Sequence, residues 1–270
     1  MNYIIYSYLL IIGASLGSFS LVLADRLKSK RDWIKGRSVC DSCGKILGVL
    51  DMIPVISYVF TRGRCRYCKV KLTPAYPLVE ILSALTLLFS YMYFPYELNL
   101  LIGKTLFFVW VISLIILIAL FVYDARWYRL PNKLVYPLIV LAFVFRLLSI
   151  SIDGFTINEV LNTLYALIVS AGIFLILYVI SSGKWIGDGD IRLGVAMGLF
   201  LPGPVEAWIA IFLASILGLL LGLPSLVKSN KKLMTLKLPF GPALVLGLIL
   251  SLLFSKYLID WYTNTFLFIN

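Results

Sequence analysis

Long apolar runs separated by short charged loops form the hydrophobic pattern of this chain. Runs of roughly 20 residues recur along most of its length, and a helix of that length can cross a bilayer. We predict spans at residues 3–24, 77–95, 99–122, 134–150, 158–180, 191–203, 205–226 and 239–258. The sixth run has only 13 residues. Because a straight crossing covers about 30 Å, we expect a half-span, a re-entrant segment or a broken helix there.

Composition supports a membrane protein. The chain has 270 residues, of which 61% are hydrophobic, and its mean hydropathy is +0.98. The first run has no basic residue before it and no small-residue cleavage site after it, so we interpret it as a retained span rather than a signal peptide. We find no internal repeat in the sequence.

Positive charges gather in alternate loops. If residues 25–76 are cytoplasmic and the spans alternate, 21 of the 24 Lys and Arg residues lie in inner segments. The positive-inside rule then places both termini outside the cell membrane. Topology, with a secondary attraction to the lipid bilayer, accounts for the net charge of +11, so we expect no nucleic-acid partner. We divide the chain into a first transmembrane helix (1–24), a cytoplasmic four-cysteine domain (25–76) and a transmembrane core (77–270).

All four cysteines lie in the cytoplasmic segment, as Cys40-x-x-Cys43 and Cys65-x-x-Cys68. Two such pairs can place four thiolates around one metal ion, which orders a small domain that has little core of its own. The alternative is two disulfides, but cytosolic thiols are kept reduced. We therefore predict a structural zinc. The fold class is then an all-α polytopic membrane protein, about eight transmembrane helices with one short or broken, plus a small zinc-ribbon-like insert.

The chain contains no histidine, which excludes an H-E-x-x-H metalloprotease and a Ser-His hydrolase. The cysteines already have a role, so carboxylates are the remaining catalytic groups. Acidic side chains at or within the ends of spans are costly and usually functional. The chain places four of them at the predicted cytoplasmic ends: Glu80, Asp124, Asp188 and Asp190.

Asp124 follows the third predicted span and Asp190 opens the sixth, at the same face of the membrane. Two carboxyl groups that come close cannot both ionise easily, so one keeps a proton near neutral pH, as in aspartic proteases. Gly187 and Gly189 would let the backbone approach a substrate closely. The alternative for G-D-G-D is an ordinary polar turn with an acid favoured at a helix start.

Five motifs occur in order along nearly the whole chain: "LGSFSLVLADRL", "RSVCDSCGKILGVLDMIPVISYVFTRGRCRYCKVKLTPAYPLVE", "YDARWYRLPN", "GDGDIRLGVAMGLFLP" and "LPFGPAL". In these motifs the chain resembles the bacterial type IV prepilin peptidases, which are GxGD-class aspartyl proteases of the membrane. The resemblance implies an endopeptidase that removes the short basic leader of type IV prepilins or pseudopilins at a Gly-Phe type bond. It also implies possible N-methylation of the new N-terminus with S-adenosylmethionine.

Carried over by position, the catalytic pair is Asp124 and Asp190, and Asp188 occupies the variable position of the motif. Glu80 matches the acid that follows the family's Tyr-Pro pair; it either supports function directly or is an interfacial acid paired with a nearby Arg. Two residues depart from the family pattern. Leu21 stands where many members have Asn, and Arg126 stands where many have a second Asp. The Leu21 pattern resembles members that serve competence pseudopili.

The segment "LPFGPALVLG" contains Pro239, Gly241 and Pro242. Its backbone cannot complete a regular helix and could border an extended substrate strand. The alternative is the plain start of a helix.

Two other classes of function remain open. A proton-coupled transporter would also use paired intramembrane acids and broken helices, but the chain has no repeated halves and both acids lie near one face. A non-catalytic zinc-ribbon membrane scaffold would need neither aspartate.

Overall fold

The computed structural model describes residues 2–30, 32, 36–228 and 239–267. Parts of the predicted four-cysteine domain (31 and 33–35) and most of the predicted loop 227–238 lie outside the described residues. The described chain is helical, without a strand. Its helices are α1 (Asn2–Lys28), α2 (Ile56–Phe60), α3 (Ala75–Met92), α4 (Leu101–Trp127), α5 (Asn132–Asp153), α6 (Ile157–Leu167), α7 (Ile173–Ser181), α8 (Asp188–Phe200), α9 (Pro204–Lys228) and α10 (Gly241–Tyr262).

Seven helical segments of the described residues are long and apolar enough to cross a membrane. They are α1, α3, α4, α5, α9, α10 and the segment Ile157–Ser181, in which a π-turn at Ile168–Gly172 joins α6 to α7. The sixth predicted span corresponds to α8, and the 13 residues of α8 extend only about 20 Å. Seven spans and one short helix confirm the predicted fold class.

Contacts divide the chain into two units, Met1–Met92 and Tyr93–Asn270. In the first unit, α1 packs against α3 through two glycines spaced four residues apart. A Cβ on Gly13 would lie 2.7 Å from Cα of Ala84, and a Cβ on Gly17 would lie 2.7 Å from Cβ of Ser83. Small residues at this spacing let two membrane helices approach closely, because lipid supplies no hydrophobic drive for their association.

The two cysteine pairs of the first unit form two knuckles with the same hydrogen bonds. In the first knuckle the N–H of Cys40 donates to the carbonyl of Lys45, and in the second the N–H of Cys65 donates to the carbonyl of Val70. Isolated bridges join Val39 to Ile46 and Arg64 to Lys71 in the same way. The knuckles are therefore a short structural repeat, which the sequence analysis missed because few side chains other than the cysteines agree.

In the second unit α8 lies at the centre. Every residue from Leu193 to Leu201 except Val195 is buried. A Cβ on Gly194 would lie 2.7 Å from the carbonyl oxygen of Ser170, so α8 crosses the π-turn between α6 and α7 at close range. Since α8 is surrounded by protein, it does not need the length of a lipid-facing span.

The buried end of α8 is held by aromatic rings and by one cation. Phe200 packs against Trp110 and Phe145 at centroid distances of 5.4 Å and 5.3 Å. Arg146 of α5, 4% exposed, donates to the carbonyl of Pro202 at 3.1 Å and pairs with Glu159 of α6 at 2.9 Å.

Candidate active site

Asp124 lies in the last turn of α4, which extends five residues beyond the predicted span, and its carboxyl group is buried. Oδ2 of Asp124 accepts a 3.0 Å hydrogen bond from the backbone N–H of Gly241, the first residue of α10. The unsatisfied N–H groups at a helix N-terminus attract negative charge. Because Gly241 has no Cβ, the carboxyl group can come this close: a Cβ there would lie 2.7 Å from Oδ2.

Asp190 lies in the first turn of α8 and is half-buried. Its Oδ2 accepts a 3.2 Å hydrogen bond from the N–H of Gly187. Burial, and then the negative charge of Asp124, raise the pKa of Asp190 to about 6. The negative charge of Asp124 therefore disfavours ionisation of Asp190, as expected for two carboxyl groups of one site.

The two glycines of the G-D-G-D segment have different surroundings. A Cβ on Gly189 would lie 2.9 Å from Cβ of Leu130, so the space at Gly189 is taken by the chain's own loop before α5. A Cβ on Gly187 would make only an ordinary contact, 3.7 Å from Oδ2 of Asp190. Space beside the backbone is thus open at Gly187 and filled by Leu130 at Gly189, and the approach of substrate at these glycines stays a prediction.

Asp188 has a partner of its own. Its Oδ2 pairs with Arg192 at 2.6 Å, one turn further along α8. Arg192 also donates to Oδ1 of Asn132, the first residue of α5. Asp188 is exposed. Arg192, which pairs with Asp188, connects the start of α8 to the start of α5 through Asn132.

Gly241 and Pro242 begin α10 as a regular helix, and a role of this segment beside a substrate strand stays a prediction. Proline at this position costs no hydrogen bond, since the first N–H groups of a helix have no partner within it. Pro239 precedes the helix and is half-buried. Of the two departures from the family pattern, Arg126 lies over the ring of Trp127 at 5.9 Å, and Leu21 is buried within the first unit.

Glu80 is buried in α3, in the first unit. Its Oε2 accepts a 2.7 Å hydrogen bond from the backbone N–H of Val55, and its carboxyl group also bonds to Ser18 of α1. Among the described residues these are the partners, rather than the arginine that one alternative expected. Glu80 fastens the segment before α2 to the side of α3.

The four cysteines form a cluster whose sulfur atoms all lie within 4.8 Å of one another. They are free thiols, not disulfides. Cys40 Sγ and Cys68 Sγ are 3.8 Å apart, which is about the edge of a tetrahedron of sulfurs bound to zinc at about 2.3 Å. Backbone hydrogen bonds from Cys68 and Tyr67 lower the pKa of the Cys65 thiol to about 7. Against a backbone hydrogen bond from Val70 that lowers it, burial and hydrogen bonds to the neighbouring thiols raise the pKa of Cys68 to about 11, so Cys65 is the first of the two to form the thiolate that binds metal. The cluster fits a tetrahedral metal ion.

Comparison with known proteins agrees with these observations. A family model described as the bacterial peptidase A24 N-terminal domain matches residues 11–94, and one described as the type IV leader peptidase family matches residues 111–223. A prepilin leader peptidase/N-methyltransferase of Bacillus subtilis is 30% identical over 259 residues, which is 95% of this chain and 97% of that protein. The chain belongs to the prepilin leader peptidase/N-methyltransferase family.

Proteins of the same name from other bacteria match over most of the chain. That of Aeromonas hydrophila is 28% identical over 238 residues, covering 86% of this chain and 76% of the relative. That of Vibrio cholerae is 28% identical over 242 residues, covering 80% and 89%. No solved structure matches the chain significantly. With its seven apolar helices, this family member is a multi-pass membrane protein, and the resemblance read from its motifs is confirmed.

Sequence reasoning missed three contributors to the geometry of this prepilin peptidase relative. Gly194 and Gly198 let α8 approach the π-turn, and their four-residue spacing in an apolar run is a known packing signal. Arg146 anchors the far end of α8. Its signal was a lone cation inside a predicted span, which is costly unless the side chain is paired.

Proposed function

We propose that this chain is a membrane-embedded aspartyl endopeptidase that removes the short basic leader of type IV prepilins or pseudopilins, typically between a Gly and a Phe. The proposal is carried by membership of the prepilin leader peptidase/N-methyltransferase family, together with a buried Asp124 at the end of α4 and a half-buried Asp190 at the start of α8. Each carboxyl group lies at a helix N-terminus, where a backbone N–H orients it.

The proposed reaction is hydrolysis with one proton held between the two aspartates. The ionised carboxylate takes a proton from water, and the oxygen of that water attacks the scissile carbonyl carbon. The protonated carboxyl group donates to the carbonyl oxygen, which gives a neutral gem-diol. When the intermediate collapses, one gem-diol hydroxyl returns its proton to the aspartate that had donated one, the C–N bond breaks, and the proton taken from water passes from the other aspartate to the leaving amine.

We propose a topology in which residues 25–76 are cytoplasmic and both termini lie outside, on the basis of the Lys and Arg distribution and the positive-inside rule. A prepilin has its charged leader in the cytosol and an apolar helix in the membrane. The scissile bond between these parts then reaches the inner leaflet, where α4 ends and α8 begins.

For the four-cysteine domain we propose a structural zinc held by Cys40, Cys43, Cys65 and Cys68. Four thiolate ligands close the coordination sphere, so the ion would order the knuckles and take no part in hydrolysis. N-methylation of the new N-terminus, with S-adenosylmethionine as methyl donor, is proposed from the relatives' names alone. The described residues contain no strand and hence no Gly-rich strand-to-helix turn that would bind the donor in the dinucleotide manner.

The test is co-expression with a pseudopilin from the same genome, followed by mass spectrometry of the pseudopilin N-terminus. Wild-type chain should remove the leader, and a further 14 Da, the mass of one added methylene, would report methylation. Asp124→Asn and Asp190→Asn should each leave the leader in place at normal membrane levels of the protein, whereas Asp188→Asn should cleave. If both Asn variants give the same result as the wild-type chain, neither aspartate is catalytic and the transporter or the non-catalytic scaffold is favoured instead.

A further inference from the structure

The segment Val49–Phe60, here called the interface segment, carries an exposed apolar surface. It consists of a 3₁₀ turn at Val49–Asp51, an irregular stretch and the short helix α2. In a water-soluble domain so many neighbouring apolar side chains at high exposure would mark a binding surface. The exposed residues, from 45% to 82%, are Val49, Leu50, Met52, Ile56, Val59 and Phe60.

The hydrogen bond between Val55 and Glu80 fixes the depth of this segment. The 18 residues of α3 extend about 27 Å, close to the thickness of the hydrocarbon layer. Glu80 is the sixth residue of that helix, about 8 Å from its first residue. Because the N–H of Val55 lies 2.7 Å from Oε2 of Glu80, the turn before α2 lies well inside the end of a membrane span.

A groove beside the same turn leads deeper along the span. It has a volume of about 310 Å³ and is lined by apolar side chains of α1, α3 and residues 53–56. Ala84 and Leu85 of its wall lie nine and ten residues beyond the start of α3, so the groove opens at the depth of acyl chains, about 14 Å into the span.

Within a bilayer, the backbone N–H groups of a non-helical segment need hydrogen-bond partners, and the interface segment provides them at its turn. Pro54 has no N–H, Val55 donates to Glu80, and Ser57 donates to the carbonyl of Ile53 at 3.0 Å. Val55 adopts a φ of 60°, which is unfavourable for a β-branched residue. The hydrogen bond to Glu80 thus compensates a strained turn and satisfies a donor that hydrocarbon would leave unpaired.

Cations follow the interface segment in the second knuckle. Arg62, Arg64, Arg66, Lys69 and Lys71 are all exposed. The segment is also fastened to this knuckle, because Asp51 pairs with Arg66 at 2.9 Å and accepts from the hydroxyl of Tyr67 at 3.1 Å. Apolar side chains next to a basic fringe are typical of surfaces that insert into an anionic leaflet.

We propose that the interface segment Val49–Phe60 is inserted into the lipid leaflet at which α3 begins, with its apolar side chains among acyl chains and the basic knuckle at the headgroups. The occupant is lipid, because residues 53–56 line the groove together with Ile81 and Leu85 of α3, which are exposed apolar side chains of a membrane span. The proposal does not depend on the proposed peptidase activity.

A photoreactive diazirine amino acid in place of one residue at a time tests the proposal. The full chain would be reconstituted in vesicles of phosphatidylcholine and phosphatidylglycerol, irradiated, and the lipid and water adducts quantified by mass spectrometry. Phe60, 82% exposed, is the test position. Phe108 in the membrane span α4, 64% exposed, is the reference for contact with lipid. Ile46 in the first knuckle, 50% exposed, is the matched apolar position outside the segment.

The ratio of lipid to water adducts at Phe60 should approach the ratio at Phe108 and exceed that at Ile46. A ratio at Phe60 no higher than at Ile46 overturns the proposal, and so does preferential crosslinking of Phe60 to a co-reconstituted prepilin. Glu80→Leu should lower the lipid ratio at Phe60, whereas Glu80→Gln, whose amide oxygen can still accept from Val55, should keep it. If Glu80→Leu fails to fold, the measurement at Phe60 in the otherwise unaltered chain still decides.

Discussion

The backbone N–H of Gly241 donates to Oδ2 of Asp124 at 3.0 Å, across 117 positions of sequence. The contact joins the end of α4 to the beginning of α10, and it directs the positive end of one helix at a carboxyl group buried in another. A side chain at position 241 would occupy the space of the carboxyl oxygen, since its Cβ would lie 2.7 Å from Oδ2. The position of Asp124 therefore depends on the absence of a side chain at Gly241.

We expect Gly241→Ala to lower the rate of leader cleavage by about 10²-fold or more. The added methyl group must displace the Asp124 carboxyl group, and a misplacement of about 1 Å at a reacting group has that effect. Cleavage kinetics with purified enzyme and pseudopilin would measure it. Gly172→Ala is the matched control, because a Cβ there makes only an ordinary 3.8 Å contact with Ile168; equal losses in both variants would contradict the role of Gly241.

Asp190→Asn is expected to stabilise the protein while abolishing cleavage. Burial raises the pKa of Asp190 from an ordinary 3.8 to about 6. The stability that the bound proton confers is complete below pH 3.8 and is lost as pH rises through about 6. Asparagine has no proton to lose. The excess of the variant's free energy of unfolding over that of the wild-type chain should therefore grow between pH 4 and pH 6. Above pH 7 it should stay constant, on the order of 2 kcal/mol.

Thermal unfolding in one detergent from pH 4 to pH 8 would measure this advantage. The exposed Asp188 provides the comparison, and Asp188→Asn should change stability by no more than about 0.5 kcal/mol at any of these pH values. A pH-independent gain at Asp190 would contradict the raised pKa.

Replacing Arg146 should destabilise the fold, because Arg146 forms an ion pair with Glu159. Arg146→Met leaves Glu159 without its cation and the carbonyl of Pro202 without its donor, so we expect a loss of about 3–5 kcal/mol in the free energy of unfolding. Adding Glu159→Gln should restore part of that loss, because the uncompensated charge is removed. Unfolding of both single variants and the double variant would give the coupling energy; additive effects would show that the ion pair contributes little.

The hydrophobic pattern predicted the helices of this protein well. Run length alone identified α8 as shorter than a straight, lipid-facing span, and charge bias and motif order singled out Asp124, Asp190 and the four cysteines as candidates. These features are local in sequence. Periodicity could not reveal the partners of the residues, because Gly241 meets Asp124, and Arg146 meets Pro202, only through the packing of distant helices.

The same limit explains the differences at Gly189 and Glu80. A glycine beside an aspartate looks the same in sequence whether a substrate or Leu130 fills the space next to it. Glu80 was predicted to support function or to pair with an arginine. Its carboxyl group accepts from the backbone N–H of Val55, and its support of function stays a prediction. A backbone donor carries no side-chain signature, so only coordinates could identify it.

The repeat of the two knuckles leads to a reciprocal prediction. Gly44 has φ +67°, and the equivalent residue of the second knuckle, Lys69, has φ 60°. A left-handed backbone conformation costs little free energy for glycine and more for lysine. Lys69→Gly should therefore stabilise the four-cysteine domain by about 0.5–1 kcal/mol, and Gly44→Lys should destabilise it by a similar amount, although nothing lies within 4 Å of a Cβ at Gly44. The rate of zinc release to a chromophoric chelator would measure both, with Cys40→Ser as the variant that does not retain the metal. Equal release rates for Lys69→Gly and the wild-type chain would mean that the second knuckle is not strained.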